Sequence, residues 1–470
     1  MSGYLHFLRT MGLCVLCLSL SGCATSRSAT EPVAEEQPAS IATLGYVPDC
    51  SYEYREQVPH IITDRVGYLP TGKKVAYIKG DDLNKDYRIV TSLGSETVYE
   101  GKLKKVSADD AAEGLYIGDF SDFNRHGSFR IYQQDVGYSY IFNIDEVSLN
   151  SIYNEAYHTI VSAEYSDTES LIYTLGNLMV TAQIYPNTYT NTGFIKGGVE
   201  LLMTQQHTGS GAVYGELKDK ATLDLIAREA SLPSAEATVD TESMLSFSAT
   251  EAYAGLLAQY YSQYAADDPE TASEALRAAV KAYSYIEKSM AQTEDVSSAF
   301  LYAACELYKA TGQLKYRNAI ALYDERTAVS AQQDRTDRYD YTFLSDVAYL
   351  STSYKTDYAR CETLMTGYSD IAGHISSSSD RAHFYVQADI KEIDGDKILD
   401  NMMALGLVGY VLSGREYSGI EANYLHYLFG LNEDMVNYYS ESPKEGFVSL
   451  NSDAVRLSKL IFALGGEAGL

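Results

Sequence analysis

The chain has 470 residues, enough for two or three domains, and 46% of them are hydrophobic, enough for a sizeable core. Its 36 Lys and Arg stand against 64 Asp and Glu, a net charge of -28. That balance argues against nucleic acid, whose phosphates are bound by Lys and Arg, and leaves a neutral glycan as a compatible partner.

In chain order, "MGLCVLCLSLSGCATS" comes first. Its apolar run, Met11 to Leu20, is too short to span a bilayer as a helix. It ends in Leu20-Ser21-Gly22-Cys23. The segment resembles a bacterial lipoprotein signal, residues 1–23, in which the Cys is diacylated and becomes the mature N-terminus. That resemblance implies an extracytoplasmic, membrane-anchored lipoprotein with its lipid on Cys23. Cys14 and Cys17 have C-x-x-C spacing but lie inside the signal, which speaks against a redox role. Beyond Cys23 come Cys50, Cys305 and Cys361, three thiols that cannot all pair within one chain.

Residues 24–57 are rich in Ser, Thr, Ala, Pro and Glu and read as a disordered tether. From 58 to 146 the pattern is short and alternating: "KKVAYIKG", "DYRIVTSL", "ETVYEGKL", "GLYIGDF", "GSFRIYQQ" and "YSYIFNI". Gly, Asp and Asn fall between these runs, which predicts a β-sandwich. Near Ser148 the period changes to that of helices. Segments such as "SLIYTLGNLMVTAQIY", "ATEAYAGLLAQYYSQYA", "SSAFLYAACELYKATG" and "DAVRLSKLIFALGG" carry apolar residues at helical spacing. Roughly a dozen such segments follow up to Leu470, many ending in Gly as helices do at their C-caps. No repeat of fixed length stands out, which disfavours a solenoid.

Several of these stretches together resemble a known family. "ITDRVGYLPTGKKVAYI" with "YIGDFSDFNRHGSFRIY" is similar to the immunoglobulin-like domain that precedes many family-nine glycoside hydrolases, the endoglucanases or cellulases. "FIKGGVELLMTQQHTGSGAVYGEL", "DDPETASEALRAAVKAYSYIEK", "LYAACELYKATGQLKY" and "DNMMALGLVGYVLSG" resemble helices of the hydrolase domain, in the family's order. The resemblance implies a multidomain chain: an immunoglobulin-like β-sandwich over 58–146, then a shortened all-α (α/α)6 barrel over 147–470. It also implies β-glucan or another plant or cell-wall polysaccharide as partner. No cofactor is expected, since His158, His207, His374 and His383 show no metal spacing and no phosphate loop follows Gly209 to Gly215.

The family's chemistry is harder to find. An inverting glycosidase needs one carboxylate to activate water and one carboxylic acid to protonate the leaving oxygen, about 6.5–9.5 Å apart. The family places its base in an Asp-Ala-Gly-Asp motif after the first barrel helix and its acid in an Asn-Glu segment opening the last. A gapless alignment back from "NLMVTAQIYP" sets the first motif on Ile160-Val161-Ser162-Ala163, leaving Glu164 and Asp167 as the nearest carboxylates. Phe447 stands where the acid is expected, with Glu445 two residues before it. The family's His-His-Arg cluster has no counterpart; the nearest histidine is His426. There is no Trp to stack on a sugar ring, and Tyr302 replaces one in the "LYAACELY" helix.

The candidate catalytic residues are therefore Glu164, Asp167 and Glu445, and the candidate substrate contacts Tyr302 and His426. The carboxylates and Tyr302 also have plainer readings: a solvated helix end for Glu164 and Asp167, a carboxylate favoured by a helix dipole for Glu445, and one of 42 Tyr packed at helical spacing. Three functions stay open. The first is a degenerate relative that keeps the fold and binds glycan without cleaving it. The others are an active hydrolase with relocated carboxylates and a structural lipoprotein with no sugar site.

Overall fold

The computed structural model describes residues 59–93, 96–106, 114–229, 242–290, 296–330, 339–379, 384, 395–414, 416–441 and 449–468. Cys23, Glu445, Phe447, the signal segment and the whole tether lie outside the described residues.

Eight strands open the fold: β1 (Ile61–Ile62), β2 (Val75–Lys79), β3 (Asp86–Thr91), β4 (Thr97–Lys105), β5 (Leu115–Asp119), β6 (Gly127–Gln133), β7 (Gly137–Tyr138) and β8 (Phe142–Ile144). They run in the order β1-β2-β5-β4-β3-β6-β7, with β8 also on β6, and every pairing is antiparallel. The nine-residue β4 closes the sandwich. Its first part pairs with β3, and Leu103 to Lys105 pair with β5. Side chains alternate across each strand, so Tyr87 and Ile89 of β3 and Phe129 and Ile131 of β6 turn inward. On β2 both faces are buried. Ala76 and Ile78 enter the sandwich core, while Val75 and Tyr77 join the core of the helical half.

The helices are α1 (Val147–Ser162), α2 (Thr168–Ile184), α3 (Thr192–Thr204), α4 (Lys220–Glu229), α5 (Phe247–Tyr264), α6 (Pro269–Met290) and α7 (Ser298–Thr311). They continue as α8 (Leu314–Ser330), α9 (Thr342–Leu350), α10 (Tyr358–Ser379), α11 (Gly395–Leu412), α12 (Ser418–Leu428) and α13 (Ala454–Ala468). Two short strands, β9 (Val213–Tyr214) and β10 (Leu245–Ser246), pair between α3 and α5.

Sequence pattern decides which helices lie inside. A helix apolar all round is buried; one with an apolar stripe lies outside against it. All residues from Ala249 to Tyr260 of α5 and from Ser298 to Tyr308 of α7 are buried. The outer α6 buries only a stripe, Thr271, Ala272, Ala275, Ala279, Ala282, Tyr283, Ile286 and Met290, at helical spacing. The inner helices touch in the order α2-α5-α7-α9-α11-α13 and back to α2, a closed ring of six. The outer α1, α3, α6, α8, α10 and α12 pack against that ring, giving the (α/α)6 barrel, with α4 as an addition. Because an outer helix carries the chain back between successive inner ones, the inner helices run parallel, with their N-termini at one end.

Sandwich and barrel share a sealed seam. Tyr77 packs on Phe384, ring centroids 4.6 Å apart. The backbone N–H of Arg65 donates to the Phe429 carbonyl at 2.8 Å, and Lys79 Nζ donates to the Glu433 carbonyl at 3.0 Å.

Candidate functional site

The N-terminal ends of α2, α9, α11 and α13 surround an open cavity of about 590 Å³. Helix N-termini leave N–H groups without intrahelical partners and carry positive partial charge, so carboxylates gather there. Asp340 Oδ1 accepts from the Thr342 N–H at 2.9 Å at the start of α9, and Asp453 Oδ1 from the Val455 N–H at 2.7 Å at the start of α13. On α11, Asp396 takes the Arg456 Nε at 2.9 Å and Asp400 Oδ1 takes the Lys459 Nζ at 2.6 Å. The Asp400 side chain is 58% exposed, so that pair adds at most about 1 kcal/mol of stability. Desolvation works against the charge on Lys459, but Tyr173, Asp400 and Asp396 outweigh it and hold its pKa above the usual lysine value.

Two tyrosines form part of the apolar wall, with Phe343, Ile371 and Met403. Tyr173 of α2 stacks on Tyr339 at 5.3 Å with 24° between the rings. Burial pushes the Tyr173 hydroxyl up to about 12 despite the nearby Lys459, so it stays protonated and donates to the Asp340 carbonyl at 3.0 Å. The Tyr339 hydroxyl points to Asp167 Oδ2 at 3.5 Å.

Asp167 is the sequence candidate that the fold brings to this mouth. It sits at the N-cap of α2, its Oδ1 accepting from the Glu169 N–H at 3.1 Å. Glu164 is exposed in the same loop. The gapless alignment from the sequence falls elsewhere: Ile160 to Ser162 form the last turn of α1 and Ala163 caps it. The loop that leads into the first inner helix instead holds Glu164-Tyr165-Ser166-Asp167, with carboxylates at its first and fourth places, as in Asp-Ala-Gly-Asp.

The two expected substrate contacts lie elsewhere, and both placements correct the sequence reading. Tyr302 is fully buried, stacked on Tyr341 at 5.5 Å and 13°, its hydroxyl donating to Gln259 Oε1. Its ring lies so near Gly255 of α5 that a Cβ there would come within 2.3 Å, so a glycine is required where α5 and α7 cross. An aromatic residue at helical spacing on an apolar inner helix faces the core, whatever a relative carries there. His426 is buried at the seam, its Nδ1 2.7 Å from Asp64 Oδ2 and its ring 4.9 Å from Tyr68. It does not line the mouth.

Sequence reasoning missed Tyr173, Tyr339, Asp340, Asp396, Asp400, Asp453, Arg456 and Lys459. The available signal was their position: each lies just before an inner helix or in its first two turns, where a parallel-helix barrel opens. Among the described residues no group of three or more His, Cys, Asp or Glu is placed to hold a metal ion.

Comparison with known proteins settles the family. The model of the cellulase N-terminal ig-like domain matches residues 56–137, and that of glycosyl hydrolase family 9 matches residues 168–446. The chain belongs to glycosyl hydrolase family 9. Among solved structures, this family-9 chain is similar to a metagenome-derived glycoside hydrolase family 9 endoglucanase, with 16% identity and a TM-score of 0.67 over 87% of this chain and 99% of that one. It is similar to a Bacteroides ovatus GH9 protein at 15% identity and a TM-score of 0.64, over 87% and 98% of the two chains. A thermostable endoglucanase from Alicyclobacillus acidocaldarius follows at 13% and 0.65, over 87% and 99%. At these identities the likeness establishes the fold. No curated protein matches the chain.

Proposed function

We propose that this family-9 protein binds a β-glucan-type polysaccharide at the barrel mouth without hydrolysing it. One observation carries the reading: each mouth carboxylate described above is already engaged. Asp167, Asp340 and Asp453 each accept a backbone N–H at the start of a helix, and Asp396 and Asp400 are held by Arg456 and Lys459. A general acid must be a carboxyl kept protonated beside the leaving oxygen; burial raises the Asp400 pKa, but its carboxylate is paired with Lys459. Tyr339, backed by Tyr173, supplies an aromatic face for a sugar ring. The polymer class follows from the endoglucanases of like fold.

The purified mature chain is expected to be retarded in an affinity gel containing soluble β-glucan while releasing no reducing sugar. Tyr339→Ala is expected to abolish the retardation. A second reading is favoured by the place of Asp167 ahead of the first inner helix, where the family keeps its base. Sugar release by the wild type that falls about 100-fold or more in Asp167→Asn would replace the binding reading by that of a working hydrolase.

We also propose that Cys23 carries lipid, on the strength of the Leu20-Ser21-Gly22-Cys23 motif. Cells fed labelled palmitate are expected to label the wild-type chain and not Cys23→Ser. Equal labelling of both would remove the anchor.

A further inference from the structure

A second cavity, of about 790 Å³, lies on the outer side of α9, between α8 and α10. Thr342 lines both it and the mouth, so the two are separated by the first turn of α9. Its wall is apolar at Leu301, Ile320 and Leu364. Its polar part is built from buried groups. Asp346 has a side chain only 4% exposed. One of its oxygens accepts the Tyr368 hydroxyl at 3.0 Å. The other, Oδ1, lies 4.0 Å from Arg360 Nη2 and has no hydrogen-bond partner. Arg360 is gripped by Asp324 and lies over the Tyr349 ring at 5.0 Å, and its buried Nε–H also lacks a partner.

Asp346 and Arg360 both line the cavity, and behind its surface each keeps one buried polar atom, Oδ1 and Nε–H, without a hydrogen-bond partner. Native proteins rarely leave such groups unmatched, since each costs about 1–3 kcal/mol. The ligand that satisfies both must donate to Asp346 and accept from Arg360 while resting an apolar face on Ile320 and Leu364. Adjacent sugar hydroxyls do this, because each O–H both donates and accepts, and the C–H face of the ring is apolar. Charge argues against an ionic ligand. Arg317 and Arg360 stand against Asp324, Asp346 and Asp357, so an anion finds no excess of positive charge, and the one surplus carboxyl for a cation is the buried Asp346, whose charge burial disfavours.

We propose that the cavity between α8 and α10 is a second carbohydrate site, taking a neutral sugar unit through Asp346 and Arg360. Burial also pushes the Asp346 carboxyl up to about 7, so near neutral pH part of the population offers an O–H as well as an acceptor. This site does not depend on the mouth reading.

The chain contains no Trp, so Asn318→Trp places a sole indole at the exposed rim of the cavity. In that background cellobiose is expected to change the indole emission saturably. Asp346→Ala and Arg360→Lys, the latter keeping the charge against Asp324 but losing the Nε–H, are each expected to raise the half-saturating concentration about tenfold or more. Urea unfolding confirms that both variants fold. The mouth variant Lys459→Met is expected to leave the response unchanged. No saturable response, a stronger response to sodium glucuronate than to cellobiose, or indifference to both cavity variants overturns the site. A response lost in Lys459→Met and kept in Asp346→Ala also overturns it, and leaves the mouth reading standing.

Discussion

Replacing His426 by Ala is expected to lower stability by about 3–5 kcal/mol near neutral pH, read from urea unfolding. The carboxylate of Asp64 is wholly buried at the seam between sandwich and barrel. Its Oδ1 takes the N–H groups of Val66 at 2.6 Å and Gly67 at 2.8 Å, and His426 takes the other oxygen. Desolvation already raises the pKa of Asp64, and His426 is the chief influence holding it down. Without the imidazole the carboxyl rises further and is buried as the neutral acid. An acid with a raised folded pKa contributes its stability below the unfolded value and loses it as pH climbs toward the folded one. The His426→Ala loss is therefore expected to be smaller at about pH 5 than at about pH 8. Adding Asp64→Asn replaces the orphaned carboxyl by a group that does not ionise and is expected to recover part of the loss. Equal losses at both pH values, or no recovery, would contradict this account of the seam.

The second large effect is expected at Glu306. This carboxyl is buried inside α7, one of its oxygens has no hydrogen-bond partner, and desolvation, partly opposed by Lys309, pushes it up to about 7. The unfolded chain gives up this proton near the ordinary glutamate value of 4.5, while the folded chain keeps it. Between the two values the folded state binds more protons, so raising the pH favours unfolding. The contribution lost across that window is of the order of 3 kcal/mol, and it is flat above and below. Glu306→Gln is neutral at every pH and is expected to remove that part of the slope. Urea unfolding of both proteins at about pH 5 and about pH 8 measures the difference. A variant with the same pH slope as the wild type would mean that Glu306 is ionised in the fold.

Those two carboxyls mark where sequence reading stops. Glu306 stands in "LYAACELY" as any helical glutamate might, and only the packing of α5 and α9 against α7 shows that water is excluded around it. Asp64 and His426 are 362 positions apart, and nothing local links them. Local chemistry, in contrast, was readable. Ser246, Ser297, Asn191 and Asp167 cap the helices that follow them, and Gly312 ends α7 at φ 66°, as their residue types suggest.

The amino-acid sequence by itself determined the strand half, the helical half and the family. Period-2 and helical patterns and cap residues act over a few positions and are written in neighbouring residues. Tertiary structure alone decided which tyrosines serve the core and which face the mouth. It placed Tyr302 between α5 and α7, and it gathered Tyr173, Tyr339, Asp396 and Lys459 at one opening. The reason is geometric. A ring of six inner helices closes through contacts between segments far apart in the chain, and only closure fixes which end of each helix meets solvent.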